Sequence, residues 1–485
     1  MYLGIDIGTS GVKALLVDGS ERIVATATSP LEVSRPHEGW SEQNPEDWWA
    51  ATLAAVDAIR TEAPAALAEV AGIGLSGQMH GATLLGEGDA VLRPCILWND
   101  GRSAAECREM EAACPDLHAV AGNLAMPGFT APKLLWVRRH EPEVFARIRR
   151  VLLPKAYVRL RLTGEAVEEM SDAAGTLWLD VGRRDWSDAL LAATGLDRGA
   201  MPRLVEGTDP SGTLRAELAS RWGMRRAPVV AGGGGDNAAT AVGLGAVHPG
   251  DAFVSLGTSG VLWATTGRFA PNPAAAVHAF CHAVPGMWHQ MGVILSAASA
   301  LGWWAQVAGR TEGDLLAELP DRPAAPSGAL FLPYLSGERT PHNDASARGA
   351  FLGLAHGMGR PEMTQAVLEG VAFAVRDALD ALRAAGTEIR SADVVGGGSR
   401  SRTWIAILAS VLDLPLNRLA AGEVGAALGA ARLGRLAATG EAPSAVCLPP
   451  ERVETIEPDP ALSDAYSHRL ARYRALYPAI QGALS

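Results

Sequence analysis

The sequence has little of what secreted, nucleic-acid-binding or membrane proteins need. Its five cysteines are odd in number, irregularly spaced and without a C-x-x-C pair, which argues against a disulfide framework or a cysteine zinc site and favours the cytoplasm. The net charge of −11 lacks the basic excess on which nucleic-acid binding depends. The opening MYLGIDIGTSG has no basic segment before an apolar one, so no secretion signal is predicted.

Only one long stretch, residues 286–309 (GMWHQMGVILSAASALGWWAQVAG), is nearly free of charge. It is long enough for a membrane span, but it contains His, Gln, Ser and Gly, and no second such stretch follows. We therefore interpret it as a buried helix and expect no membrane partner.

The chain has 485 residues, 48% of them hydrophobic, and 54 glycines, which predicts two or three domains with many tight turns. Apolar runs predict buried strands at 70–74, 93–97, 228–233 and 251–257, and residues 1–19 predict two strands joined by a glycine-rich turn. Helices are predicted within 42–60, with Asn44 as N-cap, and over 361–386.

One short segment, GTSGV, occurs at residues 8–12 and again at 257–261, half a chain apart. Each copy follows a short apolar strand and precedes another. We infer two similar halves that each contribute a hairpin turn to one ligand, with a boundary near 245–250.

The segment D-x-G-T-S-x-x-K carries groups that suit a polyanion. Gly8 and Gly11 allow close approach of the backbone, Thr9 and Ser10 offer hydroxyls, Lys13 adds a cation, and Asp6 could hold Mg²⁺ through water. An ordinary β-hairpin with a polar turn is the alternative. The second GTSGV turn and a third glycine loop at 396–401 favour phosphate binding, although no P-loop or G-x-G-x-x-G motif is present.

The run AGGGGDNAA places Asp236 directly after four glycines. A general base must come within about 3 Å of the hydroxyl that it deprotonates, and an exposed glycine turn permits this approach. Asn237 could orient the same substrate. The alternative is that Asp236 is the N-cap of the following helix.

Two further turns are ambiguous from their chemistry alone. Gln78, Met79 and His80 lie between glycines and could bind sugar hydroxyls and a C–H face, or could be structural. In WNDGR (98–102), the aromatic face suits a sugar, whereas Asp100 and Arg102 could form only a local ion pair.

Many segments together resemble the FGGY family of carbohydrate kinases, and the resemblance extends over essentially the whole chain. They include DIGTSGVK, SGQMHGATLL, WNDGR, GFTAPKLLWVRRH, GGGDNAA, SLGTSGV, FLPYLSGERTPHN and GAFLGLAHGMGRPEMTQAVLEG. The resemblance implies an α/β fold of two actin-like (ribonuclease-H-like) ATPase domains with an active-site cleft between them. We expect the N-terminal domain over 1–246 and the C-terminal domain over 247–485.

The family motifs also imply roles for individual residues. Asp236 matches the catalytic base and Asp6 the acidic residue near the metal. The sugar-binding positions are Met79, His80, Asp236 and Asn237. The nucleotide-binding positions are Thr9, Ser10, Gly11, Lys13, Thr258, Gly397, Gly398 and Ser399. Trp303 or Trp304 is expected at the adenine edge. The run before Asp236 departs from the family pattern, because four glycines stand where three are expected.

The implied activity is ATP- and Mg²⁺-dependent phosphorylation of a small sugar, with D-xylulose expected as the acceptor. A kinase of ribulose, gluconate, glycerol or another polyol is the alternative within this class. A non-catalytic alternative is an actin-like regulator or chaperone ATPase, which would need an added DNA-binding or peptide-binding region. The family is also compatible with a homodimer.

Overall fold

The two GTSGV segments form the turns of two β-hairpins, and each hairpin lies in its own seven-stranded mixed sheet. The protein is described here from a computed structural model that covers residues 1–420 and 425–484. The expected C-terminal domain, 247–485, also includes residues 421–424 and 485, which lie outside the described residues.

The elements of the first half surround one sheet. The strands are β1 Tyr2–Ile7, β2 Gly11–Val17, β3 Ile23–Pro30, β4 Glu42–Gln43, β5 Gly72–Gly77, β6 Thr83–Leu85, β7 Cys95–Ile96, β8 Arg150–Leu152, β9 Val167–Glu169, β10 Leu179–Asp180, β11 Asp185–Trp186, β12 Arg203–Val205, β13 Pro210–Thr213, β14 Val229–Ala231 and β15 Gly234–Gly235. The helices are α1 Pro45–Glu62, α2 Pro64–Leu67, α3 Ala104–Ala113, α4 Leu117–Ala121, α5 Thr130–His140, α6 Pro142–Ala146, α7 Pro154–Thr163, α8 Met170–Ala174, α9 Asp188–Thr194, α10 Ala216–Arg221 and α11 Asp236–Gly243.

The second half repeats the plan with fewer additions. Its strands are β16 Ala252–Leu256, β17 Gly260–Thr266, β18 His278–Cys281, β19 Trp288–Ile294, β20 Leu330–Leu332, β21 Ala350–Leu352, β22 Ala392–Val395, β23 Leu416–Leu419 and β24 Arg452–Ile456. Its helices are α12 Ala298–Ala308, α13 Glu312–Ala317, α14 Arg360–Ala384, α15 Arg402–Leu412, α16 Ala426–Thr439, α17 Pro443–Val446 and α18 Pro460–Leu484.

The two sheets share one topology. The first has the order β13-β14-β5-β1-β2-β3, with β15 also paired to β5, and the second has the order β24-β23-β22-β16-β17-β19-β18. In each sheet the hairpin's first strand, β1 or β16, pairs in parallel with the strand from the next crossover, β5 or β22. The inference of two similar halves from the repeated GTSGV is therefore confirmed at the level of sheet topology.

Several predicted elements are confirmed with shifted ends. Helix α1 begins at Pro45, and the side chain of Asn44 accepts a hydrogen bond from the Glu46 amide, as the N-cap pattern predicts. The strand predicted at 70–74 occurs as β5, Gly72–Gly77, and the one predicted at 93–97 shortens to β7, Cys95–Ile96.

The prediction of one buried helix over 286–309 is wrong. Residues Trp288–Ile294 form strand β19 between β17 and β18, and helix α12 starts only at Ala298. An apolar run that is buried on both faces carries no clear periodicity, so a strand followed by a helix resembles one long helix in the sequence. Across the described ranges, none of the helices has the length and apolar character that crossing a bilayer demands.

Helix α16 belongs to the second half of the chain but packs against the first sheet and α11 through small residues. Gly74 on β5 lies so close to α16 that an added Cβ would overlap the Ala430 carbonyl oxygen. On its other side, Gly429 touches Ala239 of α11 in the same way. The packing therefore requires glycine at these positions because there is no room for a side chain.

We expect Gly429→Ala to destabilise the protein although alanine is the better helix former. The gain in helix propensity is about 1 kcal/mol, whereas a Cβ that overlaps the Ala239 carbonyl forces the helices apart at a cost of about 1–3 kcal/mol or more. Gly313→Ala in α13, where the space is open, is the matched control. Urea unfolding followed by circular dichroism measures both. An equal or higher midpoint for Gly429→Ala would contradict the close packing of α16.

Candidate active site

The candidate residues of the first half meet at the carboxyl ends of parallel strands. Gly234 pairs with Ser76, Ser76 with Asp6, and Asp6 with Lys13, so these four residues form one row across β15, β5, β1 and β2. Asp236 follows Gly234 by two residues and therefore lies just beyond the end of this row. Carboxyl ends of parallel strands are the usual location of ligand sites in α/β folds.

Asp236 is the first residue of α11, and Gly235 is its N-cap, so the alternative that Asp236 is the N-cap is not what the structure has. Its Oδ1 accepts hydrogen bonds from the Asn237 amide (2.7 Å) and from Asn237 Nδ2 (2.9 Å). Burial and the nearby charge of Asp6 raise the pKa of Asp236 to about 7. The carboxyl group can therefore exchange a proton near neutral pH.

The four-glycine run has a packing reason at each end. Added Cβ atoms would overlap the Glu206 carbonyl at Gly232 and would lie 2.9 Å from the Met79 side chain at Gly235. Gly233 also has a φ of +78°, which favours glycine. The backbone therefore approaches Met79 directly before Asp236, so the additional glycine is part of a close-packed turn.

Met79 and His80 lie in a strained turn beside Asp236. His80 has a φ of +70°, which is rare for a residue with a side chain, and its Nδ1 lies 2.6 Å from the Gly175 carbonyl oxygen. Burial and the charges of Lys133 and Arg339 lower the pKa of His80 to about 3. The neutral ring must donate its Nδ1 proton to Gly175, which leaves Nε2 as a hydrogen-bond acceptor.

A buried lysine, which the residue-by-residue analysis of the sequence missed, holds this turn in place. Lys133 Nζ donates to the carbonyl oxygens of His80 (2.9 Å) and Gly128 (2.7 Å), and the Thr130 hydroxyl also donates to His80 (3.1 Å). Burial lowers the pKa of Lys133 to about 7. Its position within GFTAPKLLWVRRH was the available signal.

Gln78 connects the first hairpin turn to the Met79–His80 turn through hydrogen bonds. The Thr9 hydroxyl donates to Gln78 Oε1 (3.1 Å) and accepts from the Trp98 indole (3.0 Å), and Gln78 Nε2 donates to Gln43 Oε1 (2.8 Å). Ser10 is exposed at the tip, and Gly8 and Gly11 close the turn through a backbone hydrogen bond of 3.0 Å. The Thr9 hydroxyl therefore already has protein partners, whereas the tip of the turn at Ser10 is exposed to solvent.

The residues of WNDGR divide between a structural and an exposed role. Asp100 and Arg102 form a buried ion pair (2.7 Å), and Arg102 also pairs with Glu42 (2.7 Å) and stacks over Trp40. These charged residues are therefore structural. Trp98, which is 48% exposed, is the one residue of this segment that presents a large apolar surface next to the hairpin.

A cavity of about 560 Å³ lies in the second half next to the third glycine loop. Gly397 and Gly398 line it together with Ala298 and Leu301 of α12, and an added Cβ at Gly397 would meet nothing within 4 Å. The neighbouring Ser399 hydroxyl donates to the Gly396 carbonyl (2.7 Å). Thr258 lies exposed at the tip of the second hairpin.

Neither Trp303 nor Trp304, one of which the sequence predicts at the adenine edge, lines this cavity. Trp303 stacks on Phe331 (5.9 Å between ring centroids), and Trp304 donates its indole N–H to Thr364 (3.0 Å). A larger depression of about 680 Å³ lies at the opposite ends of the central strands β16, β17 and β22 and contains none of the predicted site residues.

Three buried carboxylates behind Asp236 are close enough for a metal site, but a lysine occupies their centre. Lys155 Nζ lies 2.6 Å from Glu168, 3.3 Å from Glu169 and 3.4 Å from Asp172. Ser171 donates to Glu169 (2.8 Å) and accepts from the Gly235 amide (3.0 Å). This cluster therefore supports the turn that carries Asp236.

We expect Gln78→Ala to destabilise the protein, because it removes the acceptor of the Thr9 hydroxyl proton and one of the two donors to Gln43 Oε1. An unsatisfied buried polar group costs about 1–3 kcal/mol, which should lower the urea midpoint. Gln306→Ala, on the exposed face of α12, is the matched control. Equal midpoints for the two variants would show that the network contributes nothing measurable.

The chain matches family models and known proteins that are consistent with this fold. Residues 1–243 match the N-terminal domain and residues 252–438 the C-terminal domain of the FGGY family of carbohydrate kinases. A protein named xylulose kinase from Escherichia coli (strain K12) is 51% identical over 481 residues, which are 98% of each chain. Another from Klebsiella pneumoniae is 54% identical over 445 residues, 91% of each chain.

A crystal structure described as that of a xyloylose kinase from Brucella ovis has the same fold. It superposes on this chain with a TM-score of 0.97 at 58% sequence identity and covers 99% of both chains. The two-domain α/β fold predicted from the sequence is therefore confirmed. From the two domain matches and these identities, the chain belongs to the FGGY family of carbohydrate kinases.

Proposed function

We propose that this protein transfers the γ-phosphoryl group of ATP to the terminal hydroxyl, O5, of D-xylulose. The observation that carries the proposal is the position of Asp236 beside the Met79–His80 turn, where burial raises the pKa of its carboxyl group to about 7. The xylulose kinases to which the chain is similar over most of its length support D-xylulose as the sugar.

Asp236 acts as the general base in this mechanism. It accepts the O5 proton while O5 attacks the γ-phosphorus and the bond to the bridging oxygen of ADP breaks, which yields D-xylulose 5-phosphate and ADP. Because the transition state of phosphoryl transfer is loose, the protein mainly positions the reactants and neutralises charge. A base with a pKa near the working pH combines a large ionised fraction with useful proton affinity.

Met79, His80 and Asn237 bind the sugar. The Nε2 lone pair of neutral His80 accepts a hydrogen bond from a sugar hydroxyl, and Met79 packs against a C–H face. One Nδ2 hydrogen of Asn237 is bonded to Asp236, which leaves the second hydrogen and the carbonyl oxygen Oδ1 available to the sugar.

The two hairpins and the third glycine loop bind the nucleotide. The turn amides around Thr9, Ser10, Gly11 and Thr258 contact the phosphates, and Lys13 supplies a cation. Gly397 and Gly398 border the cavity of about 560 Å³, and together with the adjoining Ser399 they lie under the adenosine. Open backbone at Gly397 supports this, because a ligand can approach it without meeting a side chain.

Asp6 is the residue that would hold Mg²⁺, through water. Its Oδ1 is buried without a hydrogen-bond partner in the structure, and a carboxylate oxygen is a ligand that Mg²⁺ prefers. Burial raises the pKa of Asp6, so a cation nearby would favour its ionised form. When bound, Mg²⁺ neutralises charge on the β- and γ-phosphates.

The proposal also covers the domain organisation of the chain and its location in the cell. The domain boundary between 246 and 247 falls between the two family matches, which end at 243 and resume at 252. Five unpaired cysteines, four of them buried, support the cytoplasm as the location. A homodimer stays a prediction. Ribulose, gluconate and glycerol remain the rival acceptors, since pocket shape decides among them.

Replacing the base tests the proposal. We expect Asp236→Ala and Asp236→Asn to lower kcat with D-xylulose by about 10²-fold or more, with smaller changes in KM, because general-base catalysis contributes 10²–10⁴-fold. Coupled ADP release measures both constants, and Asp464→Asn, an exposed acid on α18, is the control. An unchanged kcat would remove Asp236 from this role, and no D-xylulose-dependent ADP release from the unmodified protein would overturn the proposed function.

The pH dependence provides a second test. Since Asp236 must be ionised and burial raises its pKa to about 7, kcat/KM for the sugar should fall below pH 7. The slope should approach about tenfold per pH unit, as for one essential base. The profile is measured from pH 5.5 to 8.5 with the coupling enzymes in excess. A flat profile from pH 6 to 8 would contradict a base with this pKa.

A further inference from the structure

Arg339 is a half-buried arginine with no carboxylate partner among the residues that the structure describes. Other strongly buried arginines form ion pairs, such as Arg184 with Glu206 and Arg432 with Glu21. The one side-chain hydrogen bond of Arg339 is between its Nη1 and His278 Nε2, at 3.3 Å. Among the described residues, its Nε and Nη2 groups have no protein acceptor, and they are not fully buried, so they are accessible to a ligand.

A chain of hydrogen bonds with determined directions holds this guanidinium. Asn123 Nδ2 donates to the carbonyls of Ala121 (2.8 Å) and Ala279 (3.0 Å), so its Oδ1 is an acceptor. His278 Nδ1, 3.1 Å from that oxygen, must therefore carry the proton. Its Nε2 is then the acceptor for Arg339. The first half of the chain fixes the orientation of a residue from the second half through His278.

Through His278, the guanidinium belongs to a cluster of rings that packs against His80. Phe129 connects the two rings, with centroids 4.7 Å from His80 and 5.6 Å from His278. Burial is the main cause of the low pKa of His80, and the charges of Lys133 and then Arg339 lower it further, so the guanidinium is within electrostatic range of that imidazole. In the same turn, Met79 packs against Gly235, the residue before Asp236.

We propose that Arg339 is a sugar-binding, specificity-determining residue that donates hydrogen bonds to the carbonyl end of the ketose. The inference rests on the proposed function, in which O5 lies at Asp236 and the C1–C2 end therefore points away from it. A guanidinium can only donate and a ketone oxygen can only accept, so the two are complementary. Its planar fork can also contact two adjacent oxygens at once.

Arg339→Gln tests this role in the full-length protein. A hydrogen bond to a charged group, when lost, should raise KM for D-xylulose by about 10- to 100-fold. KM for ATP should change by less than about twofold, because uniform binding of one substrate is removed. Arg339→Lys keeps the charge but not the fork and should be intermediate. Arg390→Gln, at an exposed site, is the matched control for the loss of one charge.

A comparison of substrates separates sugar recognition from a structural effect. Xylitol and D-arabitol are the products of reducing the C2 carbonyl of D-xylulose. The ratio of kcat/KM for D-xylulose to that for these alcohols should fall by about fivefold or more in Arg339→Gln, because its main acceptor is the carbonyl. Thermal midpoints are measured in parallel to check that each variant is folded.

An unchanged KM for D-xylulose in Arg339→Gln, or an equal loss with all three substrates, would overturn the role of Arg339. An equal rise of KM for ATP and sugar would do so as well. Failure of the unmodified protein to phosphorylate D-xylulose would instead overturn the proposed function, so the two failures are distinguishable.

Discussion

The close packing of α16 against the first sheet is the contact on which the candidate site depends. This helix comes late in the chain, yet it lies between β5 and α11 at distances that only glycine permits, at Gly74 and Gly429. Arg432 of α16 donates to the carbonyls of Val242 and Gly243 at the last turn of α11. Because Asp236 begins α11, the second half of the chain helps to set where the carboxylate stands.

Each half of the chain, with its own sheet, contributes a different part of the candidate site. The first half supplies the row of strand ends with Asp6 and the turn of Met79 and His80, while the second supplies the cavity beside Gly397. Contacts such as that between Asn123 and His278 connect the two halves near the Met79–His80 turn. The site is therefore built from both halves, which suits a reaction that must align two substrates and exclude water.

The sequence was informative where local chemistry decides the structure. The GTSGV repeat predicted both hairpins. The glycine run before Asp236 predicted an exposed turn ahead of a helix, and the structure has the helix but buries the four glycines by close packing. It failed at 286–309, where burial removes the periodicity that separates strand from helix. Gln78, Lys133 and Arg339 act through partners distant in sequence, so no local pattern could reveal their contacts. The indoles of Trp303 and Trp304 likewise contact residues distant in sequence, Phe331 and Thr364.

The most direct test of the account is sugar-dependent ADP release with Mg·ATP. D-xylulose, D-ribulose, L-ribulose, glycerol and gluconate are compared with a sugar-free control and ranked by kcat/KM. The account predicts a clear preference for D-xylulose over every other acceptor and little ADP release without sugar. A higher kcat/KM with another polyol would contradict the assignment of the Met79–His80 turn to D-xylulose, and background release with every sugar would contradict the kinase activity itself.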